Sequence, residues 1–164
     1  MFHCICFILL ASGFIVAQEK HLLCSTSDLE ILYSSCGSTT ETFFFGVEPC
    51  YLNGFSKWNG TIFWIPKRDL IFLRVTIAGW YEAKKVLEWR YIACTGEDDE
   101  YSYCGALKGE TINTTVTIKG DKGNYLTGEY MVTFKGYSGH SEADLFVCMN
   151  YTLILKKEPS YDFV

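Results

Sequence analysis

The densest charge in this sequence lies between two cysteines. The stretch CTGEDDEYSYC runs from Cys94 to Cys104 and holds Glu97, Asp98, Asp99 and Glu100 in succession. A metal cage, an acid catalyst or a docking surface would each use clustered carboxylates. Catalysis fits poorly. Adjacent acids on a solvated loop lack the opposed geometry and differing environments that acid–base work needs. The chain has no G-x-S-x-G and no H-E-x-x-H, and GYSG at 136–139 reads as a turn. No enzyme is expected. Zinc fits poorly too, because there is no C-x-x-C pair and only His21 and His140 lie beyond the leader. Docking remains, against the plainer alternative of a solvated acidic loop without a partner.

The surroundings of the loop are those of a secreted chain. Residues 1–17 contain no Lys, Arg, Asp or Glu and end in small residues. They read as a signal peptide rather than a membrane anchor, although only His3 stands where a basic n-region is usual. Residues 18–164 then form one domain. Six cysteines remain, Cys24, Cys36, Cys50, Cys94, Cys104 and Cys148. An even count in a secreted chain predicts three disulfides, and spacing alone leaves their pairing open. Asn59, Asn113 and Asn150 each head an N-glycosylation sequon. The net charge of −5 comes with mixed signs along most of the chain. Nucleic acid, which needs a concentrated basic face, is not an expected partner. No later segment is apolar enough to span a bilayer.

The elements that must hold the loop are strands. Apolar residues recur with a period of two, as in Phe43, Phe45 and Val47 against Phe44, Gly46 and Glu48. The same alternation runs through residues 61–65, 70–81, 87–94, 111–120, 128–136 and 145–155. Clusters such as GDKGN and GYSGHSEAD separate the runs. Only YEAKKVLEWRY comes near a helical pattern. With 49% hydrophobic and 16% aromatic residues, about eight short strands predict an all-β, antiparallel β-sandwich. Its inward residues serve equally for a filled core or for an apolar cavity between splayed sheets.

The segments DDEYSYCGALKGETINTT and FWIPKRDL, with the cysteine pattern, resemble the myeloid differentiation factor 2 family of ML (lipid-recognition) proteins. The resemblance covers essentially the whole chain beyond the leader. It implies an immunoglobulin-like sandwich with a deep hydrophobic pocket and disulfides Cys24–Cys50, Cys36–Cys148 and Cys94–Cys104, the last stapling a hairpin. It implies a secreted co-receptor that binds lipopolysaccharide (lipid A) and the Toll-like receptor 4 ectodomain, at the cell surface when bound. Bound lipid takes the place of any cofactor, and homo-oligomers of the free chain are allowed for. The related accessory protein of a B-cell Toll-like receptor homologue, or a soluble carrier of the same fold, is the alternative.

By position the resemblance assigns the pocket to Ile31, Phe43, Phe45, Val47, Phe63, Val75, Ile77, Ile118, Tyr130, Phe134, Val147, Tyr151 and Leu153. It assigns receptor contact to Lys67, Asp98, Asp99, Glu100, Tyr101, Ser102 and Lys108. Tyr81, Val86 and Tyr125 become the edge that meets a second receptor. Gly105 departs from the family, whose mammalian members tend to carry Arg there. The rim departs further: where the family carries cations for phosphates, this chain has Trp89, Asn124, Thr127 and Met131. Lys57 is retained, and Arg90, Lys119 and Lys122, with Lys84 and Lys85, are expected to substitute.

Overall fold

The computed structural model describes residues 19–36, 42–51, 57–97, 101–119 and 125–156. The leader, Asp98, Asp99, Glu100, Lys122 and Asn124 lie outside the described residues. Among the described residues nine strands form: β1 (His21–Ser25), β2 (Leu29–Ser35), β3 (Thr42–Glu48), β4 (Lys57–Ile65), β5 (Leu73–Tyr81), β6 (Lys84–Cys94), β7 (Ile112–Lys119), β8 (Gly128–Tyr137) and β9 (Leu145–Leu155). A 3-10 turn at Glu142–Asp144 is the only helical piece among the described residues. No described helix is long and apolar enough to cross a membrane.

Two antiparallel sheets result. The larger has the order β1-β2-β9-β8-β5-β6 and the smaller β3-β4-β7. The run YEAKKVLEWRY is not helical. Glu82 and Ala83, at φ 46° and 62°, turn β5 into β6. Positive φ at both central residues suits the twist of a two-residue hairpin. The register then slips between Gly79 and Trp80, which leaves Val86 as an extra residue on β6.

The sheets meet most tightly at one end. Leu70, Leu73, Trp64, Phe146 and Val147 are buried there. The Trp64 and Phe146 rings stack at 5.3 Å, and Phe43 meets Trp64 edge-on at 5.5 Å. Cys24–Cys50 ties β1 to the segment after β3 and so joins the two sheets along one side. Cys36–Cys148 joins β2 to its neighbour β9. Cys94–Cys104 closes a loop rather than the expected hairpin, because residues 101–105 form turns and no strand.

That loop is fixed by backbone bonds to residues 66–70. Leu70 N–H donates to Ala106 O at 2.8 Å, Gly105 N–H to Leu70 O at 3.0 Å, and Gly109 N–H to Pro66 O at 2.8 Å. The Lys108 N–H donates to Asp69 Oδ1 at 2.8 Å.

Below the packed end, the Arg74 guanidinium lies over the Tyr137 ring at 4.1 Å, and the Tyr137 hydroxyl donates to Glu142 at 2.6 Å. Burial, then the bond to Glu142, pushes the Tyr137 phenol up to about 12. The unfolded chain releases that proton near pH 10. The folded state therefore binds more protons between the two values, and stability falls as pH rises through that window. Thermal melts from pH 9 to 12 should show this decline, and Tyr137→Phe should flatten part of it.

Gly60, in the middle of β4, is buried under Phe45. A Cβ there would lie 2.7 Å from Phe45 Cε2 and 3.0 Å from Val116 Cγ2. Gly60→Val should cost about 1–3 kcal/mol by overpacking. The check is a lower urea midpoint with an unchanged slope.

Candidate functional site

Away from the packed end the sheets stay apart, and a cavity of about 860 Å³ lies between them. Each wall comes from strand alternation. The larger sheet supplies Ile31 from β2, Val75 and Ile77 from β5, Phe134 from β8, and Tyr151 and Leu153 from β9. The smaller supplies Phe43, Phe45 and Val47 from β3 and Ile118 from β7. Ten of the thirteen residues assigned to a pocket therefore line one hollow. Rings dominate its wall: Phe43 stacks on Phe134 at 5.4 Å, and Phe45 meets Tyr151 edge-on at 6.3 Å.

Three assigned residues lie elsewhere. Phe63 is 37% exposed on the outer face of the smaller sheet, while Trp58, Ile62 and Trp64 of the same strand line the cavity. The parity of β4 required this, since Phe63 shares its face with Lys57, Asn59 and Thr61. Val147 points inward but sits in the packed end, 1% exposed. Tyr130 lies past the other end of the hollow. Its ring packs on Tyr81 at 4.7 Å, and its hydroxyl accepts from Leu126 N–H at 2.9 Å.

Tyr130 thereby gathers the residues expected at the dimerisation edge. Tyr81 and Tyr125 both touch its ring, and the Tyr81 hydroxyl donates to Thr127 O at 3.0 Å. Val86 is 57% exposed on the bulged strand β6 nearby. Of the expected receptor contacts, Lys67 and Lys108 fall on the two segments that bond to each other at residues 66–70 and 105–109, and Ser102 precedes the second. Ser102 Oγ lies 3.4 Å from Thr114 Oγ1. Tyr101 turns inward instead, stacks on Tyr103 at 5.2 Å and lines the cavity.

The open side lies along β6 and β7, one edge strand of each sheet. Trp89, 61% exposed, and Tyr91 stand there on β6, and Thr117 on β7. Arg90 is the cation lining the cavity among the described residues, and it is tied to Glu88 at 2.5 Å. Lys85 holds the same carboxylate at 3.0 Å. Lys85 first and Arg90 second hold the Glu88 carboxyl below its usual range, and Glu88 in turn raises Arg90. Lys57 and Lys119 are paired in register at the end of the smaller sheet. Met131 faces outward from the larger sheet, 48% exposed.

Trp58, Ile62, Trp64 and Tyr91, none of them assigned to the pocket from sequence, also line the cavity. Their alternation was the available signal. The Tyr151 ring lines the cavity, but its hydroxyl is buried with no hydrogen-bond partner among the described residues. Burial pushes that phenol well above its ordinary range. No group of three or more His, Cys, Asp or Glu among the described residues could hold a metal ion. Among the described residues the hollow offers apolar contact and one paired cation.

No protein-family model matches the chain. It is 33% identical over 146 residues to lymphocyte antigen 96 of Homo sapiens, across 89% of this chain and 91% of that one. The Bos taurus protein of the same name is 31% identical over 146 residues. Lymphocyte antigen 86 of Homo sapiens is 30% identical over 84% of this chain and 83% of its own. Among solved structures, chicken MD-1 complexed with lipid IVa superposes with a TM-score of 0.70 at 19% identity, over 86% of this chain and 100% of that one. A Niemann-Pick type C2 protein from the Japanese carpenter ant does so with 0.53 at 16%, over 73% and 96%. These two share the fold. The sequence likeness spans nearly the whole of both chains, and the chain belongs to the lymphocyte antigen 96 family.

Proposed function

We propose that this chain is a secreted, non-enzymatic co-receptor that holds acyl chains of bacterial lipopolysaccharide in its cavity. It associates with the Toll-like receptor 4 ectodomain, and ligand drives dimerisation of the receptor. The observation that carries this reading is the apolar hollow, open along β6 and β7 and lined by aromatic and branched side chains. A family that includes lymphocyte antigen 96 supports it, as does a shared fold that in chicken MD-1 is complexed with lipid IVa.

Transfer of each methylene from water into such a site contributes about 0.8 kcal/mol, before association entropy is subtracted. At roughly 30 Å³ per water-sized group, a cavity of this volume takes on the order of thirty methylenes. That is room for two or three chains of about twelve carbons, fewer than a heavily acylated lipid carries. A surplus chain would lie at the mouth, beside Val86, Tyr81 and Tyr125, and complete an apolar surface for a second receptor. The acidic loop would meet a basic receptor face, where charges contribute steering and register more than affinity. Lys67, Ser102 and Lys108 would border it. Closure by Cys94–Cys104 lowers the ordering cost of that contact.

Ile77→Trp should occupy part of the hollow and lower the load of co-purifying lipid, read by mass spectrometry of the secreted protein. Tyr151→Phe is the matched control. It should keep the lipid and raise stability by about 1 kcal/mol, because it removes a buried hydroxyl that lacks a partner. Equal lipid loads in Ile77→Trp and the parent chain would reject the cavity as the binding site.

Asp98→Lys with Asp99→Lys should abolish capture by a co-secreted Toll-like receptor 4 ectodomain while the lipid load stays unchanged. Undiminished capture rejects the docking role, and lipid loss with capture intact would reverse the assignment.

A further inference from the structure

The outer face of the smaller sheet is built in rows that cross all three strands. One row reads Phe44, Phe63 and Asn113, the next Gly46, Thr61 and Thr115, and the next Glu48, Asn59 and Thr117. The first two rows hold no charged residue. Phe44 and Phe63 are each 37% exposed. The Phe44 ring lies along its own strand, since a Cβ on Gly46 would be 3.2 Å from its Cε1. The Phe44 ring also meets Tyr33 of β2 edge-on at 5.9 Å, and two partly exposed aromatic side chains therefore stand on this uncharged stretch.

The two sequons of this sheet are interlocked on the same face. Thr61, which completes the Asn59 sequon, pairs in register with Thr115, which completes the Asn113 sequon. Asn59 and Asn113 consequently stand at opposite corners of the aromatic patch. They are separated by four residues of strand rise, roughly 14 Å. Asn113 is beside Phe63, and Asn59 is diagonal to the Gly46 position that the Phe44 ring covers. Both asparagines are exposed. Asn150 differs: it is half-buried on the larger sheet, and its Oδ1 accepts from Thr133 Oγ1 at 2.8 Å.

We infer that N-linked glycans on Asn59 and Asn113 are seated on the Phe44 and Phe63 rings and form the cover of this sheet face. The first sugar of each glycan presents an apolar C–H side that suits a ring face, and its hydroxyls restore a hydrated exterior. The free edges β3 and β7 flank a patch that has no charge to discourage pairing with another chain. A glycan at each corner supplies that protection. The inference does not depend on the lipid reading, because apart from Thr117 at its margin no residue in it lines the cavity.

The test uses the full chain secreted from glycosylating cells. Peptide mass spectrometry should find Asn59 and Asn113 occupied and Asn150 largely bare. After trimming to a single isotope-labelled N-acetylglucosamine per site, sugar protons should be shifted upfield by ring currents. Phe63→Thr should abolish the shift at Asn113, and Phe44→Thr that at Asn59. Thr61→Ala with Thr115→Ala removes both glycans and keeps both asparagines. That variant should bind more apolar dye and self-associate at concentrations where the parent is monomeric. Thr115→Ser, which keeps the sequon, should behave as the parent. An unoccupied Asn59 or Asn113 overturns the proposal, and so do sugar resonances indifferent to both Phe substitutions. A glycan-free variant that stays monomeric without added dye binding overturns the covering role.

Discussion

The inner faces of the two sheets are held together along one side by Cys24–Cys50 and at one end by the packing of Trp64 on Phe146. No strand pairing joins them along β6 and β7. Each inner face carries more apolar surface than the packed end can cover. The remainder bounds a hollow that is apolar because the strands that make it are regular. Burying such a surface is worth about 25 cal/mol per Å². A hydrocarbon ligand can recover this where the protein itself does not. Side-chain packing at one end and backbone separation at the other thus produce both the stability and the hollow from one alternating pattern.

The separation persists because both ends of the pattern are occupied by something other than a filler. At one end, Leu70 and Tyr103 bring the loop of residues 101–110 under the sandwich, and the backbone bonds of that loop to residues 66–70 hold it there. At the other, the inner face of the larger sheet finishes in Tyr81 and Tyr130, whose rings pack on each other and whose hydroxyls donate to the 126–127 backbone, with Tyr125 against Tyr130. A surface loop and an edge cluster therefore take their positions from the same cavity that lies between them. The hollow and the segments at its two ends share walls.

Legibility differed by the range of the interaction involved. The faces of β3, β5 and β9 were readable because alternation is a property of neighbouring residues, and Phe43, Phe45, Val75, Ile77, Tyr151 and Leu153 follow it into the cavity. Phe63 was misassigned by positional transfer from the family, although its own strand parity, with Asn59 and Thr61 on the same side, pointed outward. Val147 and Tyr130 have the inward parity and still miss the hollow. Parity says which face a residue takes and not how far along that face the sheets stay apart. Tyr101 joins the cavity wall because the loop folds under the sandwich, a contact between segments that no local pattern encodes.

By itself the sequence determined an oxidised all-β chain with period-two strands, three disulfides' worth of cysteine and no constellation suited to catalysis. These follow from residue types and short spacings. Family resemblance added which cysteines pair. Tertiary structure decided that the inner faces separate, where the hollow begins and ends, that the Arg90 charge at its mouth is tied to Glu88, and that two sequons share one face with two exposed rings. Those outcomes depend on register and on distance between sheets, which arise only when strands far apart in the chain are brought side by side.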